Sequence, residues 1–188
     1  MYPHLLLSMY TYIYPVRADY YATELIRDDE EPTSPNYIRI TDDRLELVLR
    51  DFKTAKKYPP IHYPVLPESL SSIILQSIEK QPRKYLFQKP NGLPYSRTTF
   101  SQWASHTLHQ IFGVEMTLTL IRHHFVSTLE MDVPVAQLEK IGQLMGHSVP
   151  MQRLYKWHPE QKEELDADSE ADSEADSEAD SEADGEEK

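Results

Sequence analysis

The 188-residue sequence predicts a mainly helical α+β domain followed by an acidic tail without stable structure. Three observations support this fold class. Apolar residues recur with helical spacing along most of the first 158 residues, and one central stretch alternates with period two. The composition then changes abruptly, and from Leu165 the chain is a repeat of Asp, Ser, Glu and Ala. We therefore expect a folded domain over residues 1–158 and a disordered, low-complexity tail over residues 159–188.

Six stretches have the apolar pattern of a helix. The first, residues 4–13, is mostly apolar and ends before Pro15. The later ones are marked by apolar stripes from Leu70 to Ile78, Phe100 to Ile111, Leu118 to Leu129, Val135 to Met145, and from Pro150 to Trp157. Pro67 is expected at the first position of the second helix.

A small antiparallel sheet is predicted between the first two helices. Two strands, Tyr37–Thr41 and Leu45–Arg50, are separated by a two-residue turn, Asp42-Asp43. A third strand, Ile61–Leu66, contains Pro64, which suits an edge strand. The sheet is thus expected to have three strands. Lys53 to Pro60 would form a basic, flexible tip.

The net charge of −12 hides a strong asymmetry along the chain. Residues 160–188 hold 15 of the 31 acidic residues and 2 of the 19 basic ones, so the first 159 residues have a net charge of +1. Between Arg44 and Arg97 there are ten basic and four acidic residues. A nearly neutral body with a basic middle is compatible with a phosphate-bearing partner.

The acidic tail has no aromatic or β-branched residue after Leu165, so it cannot offset the entropy cost of ordering. The simplest interpretation is a solvated segment. Two hypotheses go further: the tail mimics DNA and competes for a basic channel, or acid-directed kinases phosphorylate its serines. Four serines each have an aspartate three residues on: Ser169, Ser173, Ser177 and Ser181.

Several function classes have no support in the composition. The absence of cysteine excludes disulfides and thiolate chemistry and fits an intracellular protein. The histidines show no metal-binding spacing, no glycine-rich phosphate loop occurs, and no apolar run is long enough to cross a bilayer. We therefore expect no metal, no cofactor, no membrane association and no secretion.

Three motifs follow one another in the second half of the domain. Leu118 to Phe125 places Arg122-His123 on an apolar helix. Ile141 to Ser148 ends in Leu-Met-Gly-His, and Tyr155 comes eight residues after His147. Together they resemble the catalytic domain of tyrosine recombinases, the phage integrase family, whose motifs read approximately His-x-x-Arg-His, Leu-Gly-His and Tyr. Arg17, after the first helix, and Lys53, after the second strand, match the family's order as well.

The resemblance, which covers about residues 1–158, implies roles for particular residues. Tyr155 would be the nucleophile, Arg17 and Arg122 the phosphate clamp, Lys53 the general acid and His147 a hydrogen-bond donor to the phosphate. Further DNA contacts are expected from Lys56, Lys57 and Arg97. The implied activity is breaking and rejoining of DNA, as in site-specific recombination or integration, through a 3′-phosphotyrosyl intermediate and without a cofactor.

Three of these residues also have a structural interpretation. Arg122 would serve as an exposed helix arginine, Tyr155 as core filler among twelve tyrosines, and His147 as a helix C-terminal residue favoured by the dipole. Lys56 or Lys57 would replace Lys53 as the acid, since all three share the tip. The joint order of five features favours the functional interpretation.

Two departures from the family pattern leave alternatives open. Thr119 stands where the family usually has a histidine or lysine; its hydroxyl can contact a phosphate but is a poor base. The sequence also begins close to the first catalytic helix, without the family's N-terminal DNA-clamp domain, which could be separately encoded. The expected partner is double-stranded DNA, with self-association on it. The alternatives are a catalytically impaired DNA-binding remnant, relaxation of the type IB topoisomerase kind, and an acidic-tailed adaptor whose motifs match by chance.

Overall fold

The computed structural model describes residues 2–129, 134–146 and 148, and within them it has five helices and a four-stranded sheet. The helices are α1 (Tyr2–Thr11), α2 (Glu68–Lys80), α3 (Arg97–Phe112), α4 (Leu118–Thr128) and α5 (Val135–Met145). The strands are β1 (Glu24–Arg27), β2 (Asn36–Ile40), β3 (Leu45–Leu49) and β4 (Ile61–Tyr63). The helix predicted after Pro150 and the tail at 159–188 lie outside the described residues. None of the described helices combines the length and apolar character needed to span a bilayer.

The chain is α+β as predicted, but the prediction of a three-stranded antiparallel sheet is wrong. The strand order is β1-β2-β3-β4; β1 runs parallel to β2, and the other neighbours are antiparallel. The additional strand β1 has only two apolar residues, Leu25 and Ile26, so its sequence has little period-two signal. Its position depends on contacts with residues far along the chain, because Leu25 N–H donates to the Lys84 carbonyl.

A buried carboxylate fixes the connection that makes β1 and β2 parallel. Glu24 is 3% exposed, and its oxygens accept hydrogen bonds from Thr33 N–H at 2.7 Å, Thr33 Oγ1 at 2.8 Å and Ser34 N–H at 2.9 Å. The Lys84 ammonium lies 3.2 Å from the same carboxylate. Burial alone raises the pKa of Glu24, but the hydrogen bonds from Thr33, Ser34 and Lys84 together lower it below its usual value.

The main core lies where the sheet meets α1, α2 and α3. Leu5, Leu6 and Met9 of α1 are buried in the same cluster as Leu70 of α2 and Phe100 of α3. Burying a side chain of this size contributes about 1.5–3 kcal/mol, as an upper estimate relative to an extended chain. The first helix is therefore central to the body rather than peripheral.

A second, smaller core cluster joins α4, α5 and the segment that follows α1. Val126, Ile141 and Met145 are buried together, and Tyr14 packs edge-on against Phe125 with ring centroids 5.6 Å apart. This cluster determines how α4 and α5 sit relative to residues 14–17.

Helix ends follow ordinary capping chemistry. At the start of α3 the Ser96 hydroxyl accepts from Thr99 N–H, and Thr99 Oγ1 accepts from Ser96 N–H, forming a capping box. Pro67, predicted as the first helical residue of α2, lies one position earlier at the N-cap, because the helix begins at Glu68; Pro134 has the same place on α5. Gly113 and Gly146 end α3 and α5 in the left-handed conformation.

Replacing the buried carboxylate tests the account of β1. We expect Glu24→Gln to lower the free energy of unfolding at pH 7 by about 1–3 kcal/mol, because an amide accepts weaker hydrogen bonds and does not pair with Lys84. Since the folded-state pKa is lowered, the carboxylate stabilises the fold above its unfolded pKa, and this contribution disappears as the pH falls. In urea titrations, the free energy of unfolding should therefore fall less between pH 7 and pH 3 for the variant than for the wild type. Glu79→Gln, on the exposed side of α2, is the matched control and should follow the wild type.

Candidate phosphate-binding site

Three distant segments meet at the backbone carbonyl of Gly146. An Nη atom of Arg17 donates to this oxygen at 3.1 Å, across 129 residues of sequence. Thr54 Oγ1, beside Lys53, donates to the same oxygen at 2.5 Å, across 92 residues. The carbonyls at a helix C-terminus lack intrahelical donors and carry partial negative charge, so they favour a cation and a hydroxyl donor. Two predicted site regions thus contact the Leu-Met-Gly-His motif directly.

Gly146 lets these segments approach closely. Its φ is +69°, a conformation in which other residues are strained. A Cβ atom at this position would lie 3.3 Å from Phe52 Cδ2, 3.6 Å from Thr54 Oγ1 and 3.7 Å from Ile61 Cδ1. Both the backbone conformation and the space therefore favour glycine.

A tyrosine of α1 contacts the backbone of Arg17. Tyr10 is 2% exposed, and its hydroxyl donates to the Arg17 carbonyl at 2.6 Å. Burial raises the pKa of Tyr10 well above its usual value, and the Asp19 carboxylate raises it further, whereas the Arg122 guanidinium opposes them. Tyr10 therefore remains a protonated donor, and Arg122 lies within electrostatic reach of the group that anchors Arg17.

Arg122 lies on the buried side of α4. It is 1% exposed, and its neighbours on the helix, His123 and Val126, are 6% and 2% exposed. A guanidinium always carries its charge, so its burial is costly and is not expected of a solvated surface arginine. The alternative of an exposed helix arginine is therefore wrong.

The basic tip, defined as residues 53–57, forms regular turns. Ala55 N–H donates to the Phe52 carbonyl, and Lys57 N–H donates to the Thr54 carbonyl, both at 2.9 Å. Phe52 is buried under the tip, while Lys53, Lys56 and Lys57 are exposed. These residues, the first part of the predicted tip at 53–60, are thus held in turns and anchored to the end of α5 through Thr54.

Among the residues that the structure describes, some cations between Arg44 and Arg97 have partners within the fold and others do not. Several are engaged internally: Arg44 with Asp43, Arg50 over the Tyr37 ring, Arg83 with the Ser77 and Gln81 carbonyls, Lys84 with Glu24, and Arg97 with Asp19. Within the described part of the chain, no carboxylate pairs with Lys56 or Lys57. The cationic surface at the tip is therefore available to a ligand in a way that the paired residues are not.

Arg97 belongs to a structural network. It bonds to the buried carboxylate of Asp19, lies 3.7 Å from an oxygen of Asp51, and its guanidinium lies 5.1 Å from the centre of the Tyr21 ring. Burial lowers the pKa of Arg97, but Asp19, Tyr21 and Asp51 outweigh it and raise the pKa overall. Arg97 is thus engaged within the fold, and its predicted contact with DNA stays a prediction.

The remaining predicted site residues divide into two groups. Thr119 is half-buried on the first turn of α4, three residues before Arg122. His147 and Tyr155 lie outside the described residues, so the predicted hydrogen-bond donor and nucleophile remain predictions.

Sequence reasoning missed three residues of the site. In sequence, Tyr10 is an ordinary tyrosine of an apolar helix. Its role depends on a hydrogen bond to the carbonyl of Arg17, seven residues later. Thr54 has no pattern of its own between the lysines. Gly146 had a usable signal, because a glycine directly after an apolar helical stripe is typical of a left-handed helix end.

Comparisons with known proteins leave the family of this chain unassigned. No family model matches the sequence, and no curated protein matches it. Among solved structures, the chain is similar to one described as the crystal structure of XerA recombinase, with 15% identity and a TM-score of 0.44. The match covers 60% of this chain and 41% of the other, so this chain spans less than half of that protein's length. The function is therefore inferred from the residues of this chain.

Two glycines provide a matched test of the Gly146 contact. At Gly113, with φ of +70°, an added Cβ would have nothing within 4 Å, whereas at Gly146 it would meet Phe52 at 3.3 Å. We expect Gly113→Ala to lower the free energy of unfolding by about 1–2 kcal/mol through backbone strain alone. Gly146→Ala should lower it by about 2–4 kcal/mol, because the new methyl group also displaces the tip. Equal losses in urea denaturation would contradict the close approach.

Proposed function

We propose that this chain binds double-stranded DNA through a phosphate pocket at the Gly146 junction and breaks and rejoins DNA strands in the manner of a tyrosine recombinase. The observation that carries the proposal is the hydrogen bond from Arg17 to Gly146, which joins the first arginine to the Leu-Met-Gly-His motif. Buried Arg122 and the basic tip support it. The ordered motifs from Arg17 to Tyr155 are the pattern from which the reaction type is inferred.

The chemistry of a phosphodiester requires cations at this point. During in-line attack, charge grows on the nonbridging oxygens, and guanidinium groups stabilise it with paired N–H donors. Arg17 has five such donors and makes one hydrogen bond, to Gly146, within the described residues. The other donors remain for a phosphate. Arg122 would supply the second clamp.

The proposed reaction conserves the energy of the broken bond. The Tyr155 oxygen attacks the phosphorus and the bond to the 5′ oxygen breaks, leaving a 3′-phosphotyrosyl ester. The tyrosine proton passes to solvent, and the leaving 5′ oxygen takes a proton from Lys53. Attack by a 5′ hydroxyl reverses the step. No high-energy cofactor is consumed. Exchange between two duplexes would further require self-association on DNA.

Thr119 favours a second candidate, a DNA-binding protein with impaired catalysis. A hydroxyl at this position can donate to a phosphate oxygen but is a poor general base near pH 7. Losing one transition-state contact typically lowers the rate by about 10²–10³. The second candidate would bind DNA through the same pocket and form little covalent adduct.

Plasmid relaxation tests the nucleophile without knowledge of a target site. We expect the full chain to relax supercoiled plasmid and to become covalently attached to DNA, because rotation can follow strand cleavage. Tyr155→Phe should abolish both while leaving DNA binding intact. Tyr12→Phe, at an exposed tyrosine of the segment after α1, should retain both.

A negative result is resolved by a second variant. The wild type could bind DNA and form no covalent adduct because Thr119 impairs the phosphate pocket. In that case Thr119→His should form the adduct. DNA binding that is unaffected by Tyr155→Phe, with no adduct from the wild type or from Thr119→His, would refute the strand-transferase proposal and leave the DNA-binding protein.

A further inference from the structure

We propose that the acidic segment, residues 165–188, docks on the basic tip of the same chain and competes there with DNA. The docking is a property of the chain alone, and the competition rests on the proposed function. Three observations support the proposal: the described chain ends near the tip, the tip is positively charged, and the acidic segment is negatively charged.

The described chain ends beside the tip. Gly146 shares a hydrogen bond with Thr54 at the centre of the tip, and Ser148 follows two residues later. Two residues of chain cannot extend more than about 7 Å, so the rest of the chain departs from this side of the body. The tether that leads to the acidic segment therefore begins next to the tip.

The intervening chain is long enough for the acidic segment to reach the tip. Residues 149–164 contribute 16 residues before Leu165. They would span about 24 Å as a helix and at most about 55 Å when extended. Attachment at such distances gives an effective concentration on the order of millimolar, so even a weak contact is substantially occupied.

The charges are complementary. The acidic segment has twelve acidic residues and one basic residue, a net charge of −11. The tip has three exposed lysines within five residues, and no described carboxylate pairs with Lys56 or Lys57. The other cations of the basic middle that have internal partners, such as Lys84 and Arg97, compete poorly for the segment.

The segment and DNA would then use the same surface. Phosphate binding at the tip would depend on Lys56 and Lys57, and a tethered polyanion lowers the fraction of molecules in which these two lysines are accessible. If these lysines are accessible in about a tenth of the molecules, the apparent DNA affinity is about tenfold lower than that of a protein in which they are always accessible. Both contacts weaken with salt, but only DNA binding depends on the concentration of the partner.

The experiment compares the full chain with an amide-tail variant, in which the twelve acidic residues of 165–188 become Asn or Gln. Without DNA, backbone amide NMR signals of residues 53–58 should differ between the two proteins at low salt, and the difference should vanish near 1 M salt. With a short DNA duplex, the amide-tail variant should bind about tenfold more tightly at low salt. Identical tip signals, or altered tip signals with unchanged DNA affinity, would overturn the proposal.

Lysine variants separate docking from general repulsion. In Lys56→Gln/Lys57→Gln, neutralising the tail should raise DNA affinity much less than in the wild-type body. Lys80→Gln/Lys89→Gln removes the same charge away from the tip. In this background, neutralising the tail should raise DNA affinity as much as it does in the wild-type body. An equal gain in both backgrounds would show simple repulsion and overturn docking at the tip. If neither tail form bound DNA, the proposed function would fail, while the DNA-free NMR comparison would still decide whether the segment docks.

Discussion

The carbonyl of Gly146 is the contact on which the rest of the site depends. One oxygen at the end of α5 accepts from Arg17, which follows α1, and from Thr54, in the tip after β3. These donors belong to parts of the chain that precede Gly146 by 129 and 92 residues. Because a helix ends with carbonyls that need donors, the same bonds that complete the helix also position a guanidinium and a cationic turn.

Packing behind this junction keeps the two arginines in place. Tyr10 holds the Arg17 carbonyl from α1, and the contact between Tyr14 and Phe125 connects the following residues to α4, which carries Arg122. The cluster of Val126, Ile141 and Met145 then joins α4 to α5. Each of the two arginines is thus positioned by side chains that belong to, or pack against, one of the two apolar clusters.

Sequence patterns predicted the elements whose faces differ strongly in polarity. The stripes of α2 to α5 and the alternation in β3 indicated the correct element types because one face of each is buried. Strand β1 has no such pattern, since its placement depends on the Glu24 hydrogen bonds and on pairing with residues near Lys84. In the candidate site, motif order pointed to Arg17, the tip and Arg122, whose roles stay predictions. The engagement of Arg97 by Asp19 is a tertiary contact across 78 residues that no local pattern reveals.

The most direct test of the central claim is an NMR titration of the amide-tail variant with a short DNA duplex, following the backbone amides. If the Gly146 junction is the phosphate pocket, amides at Arg17, along 53–57, at Arg122 and around 144–146 should shift together with a single affinity. That affinity should fall steeply with salt. Shifts confined to other surfaces, such as the exposed side of α2, with the junction unmoved, would contradict it.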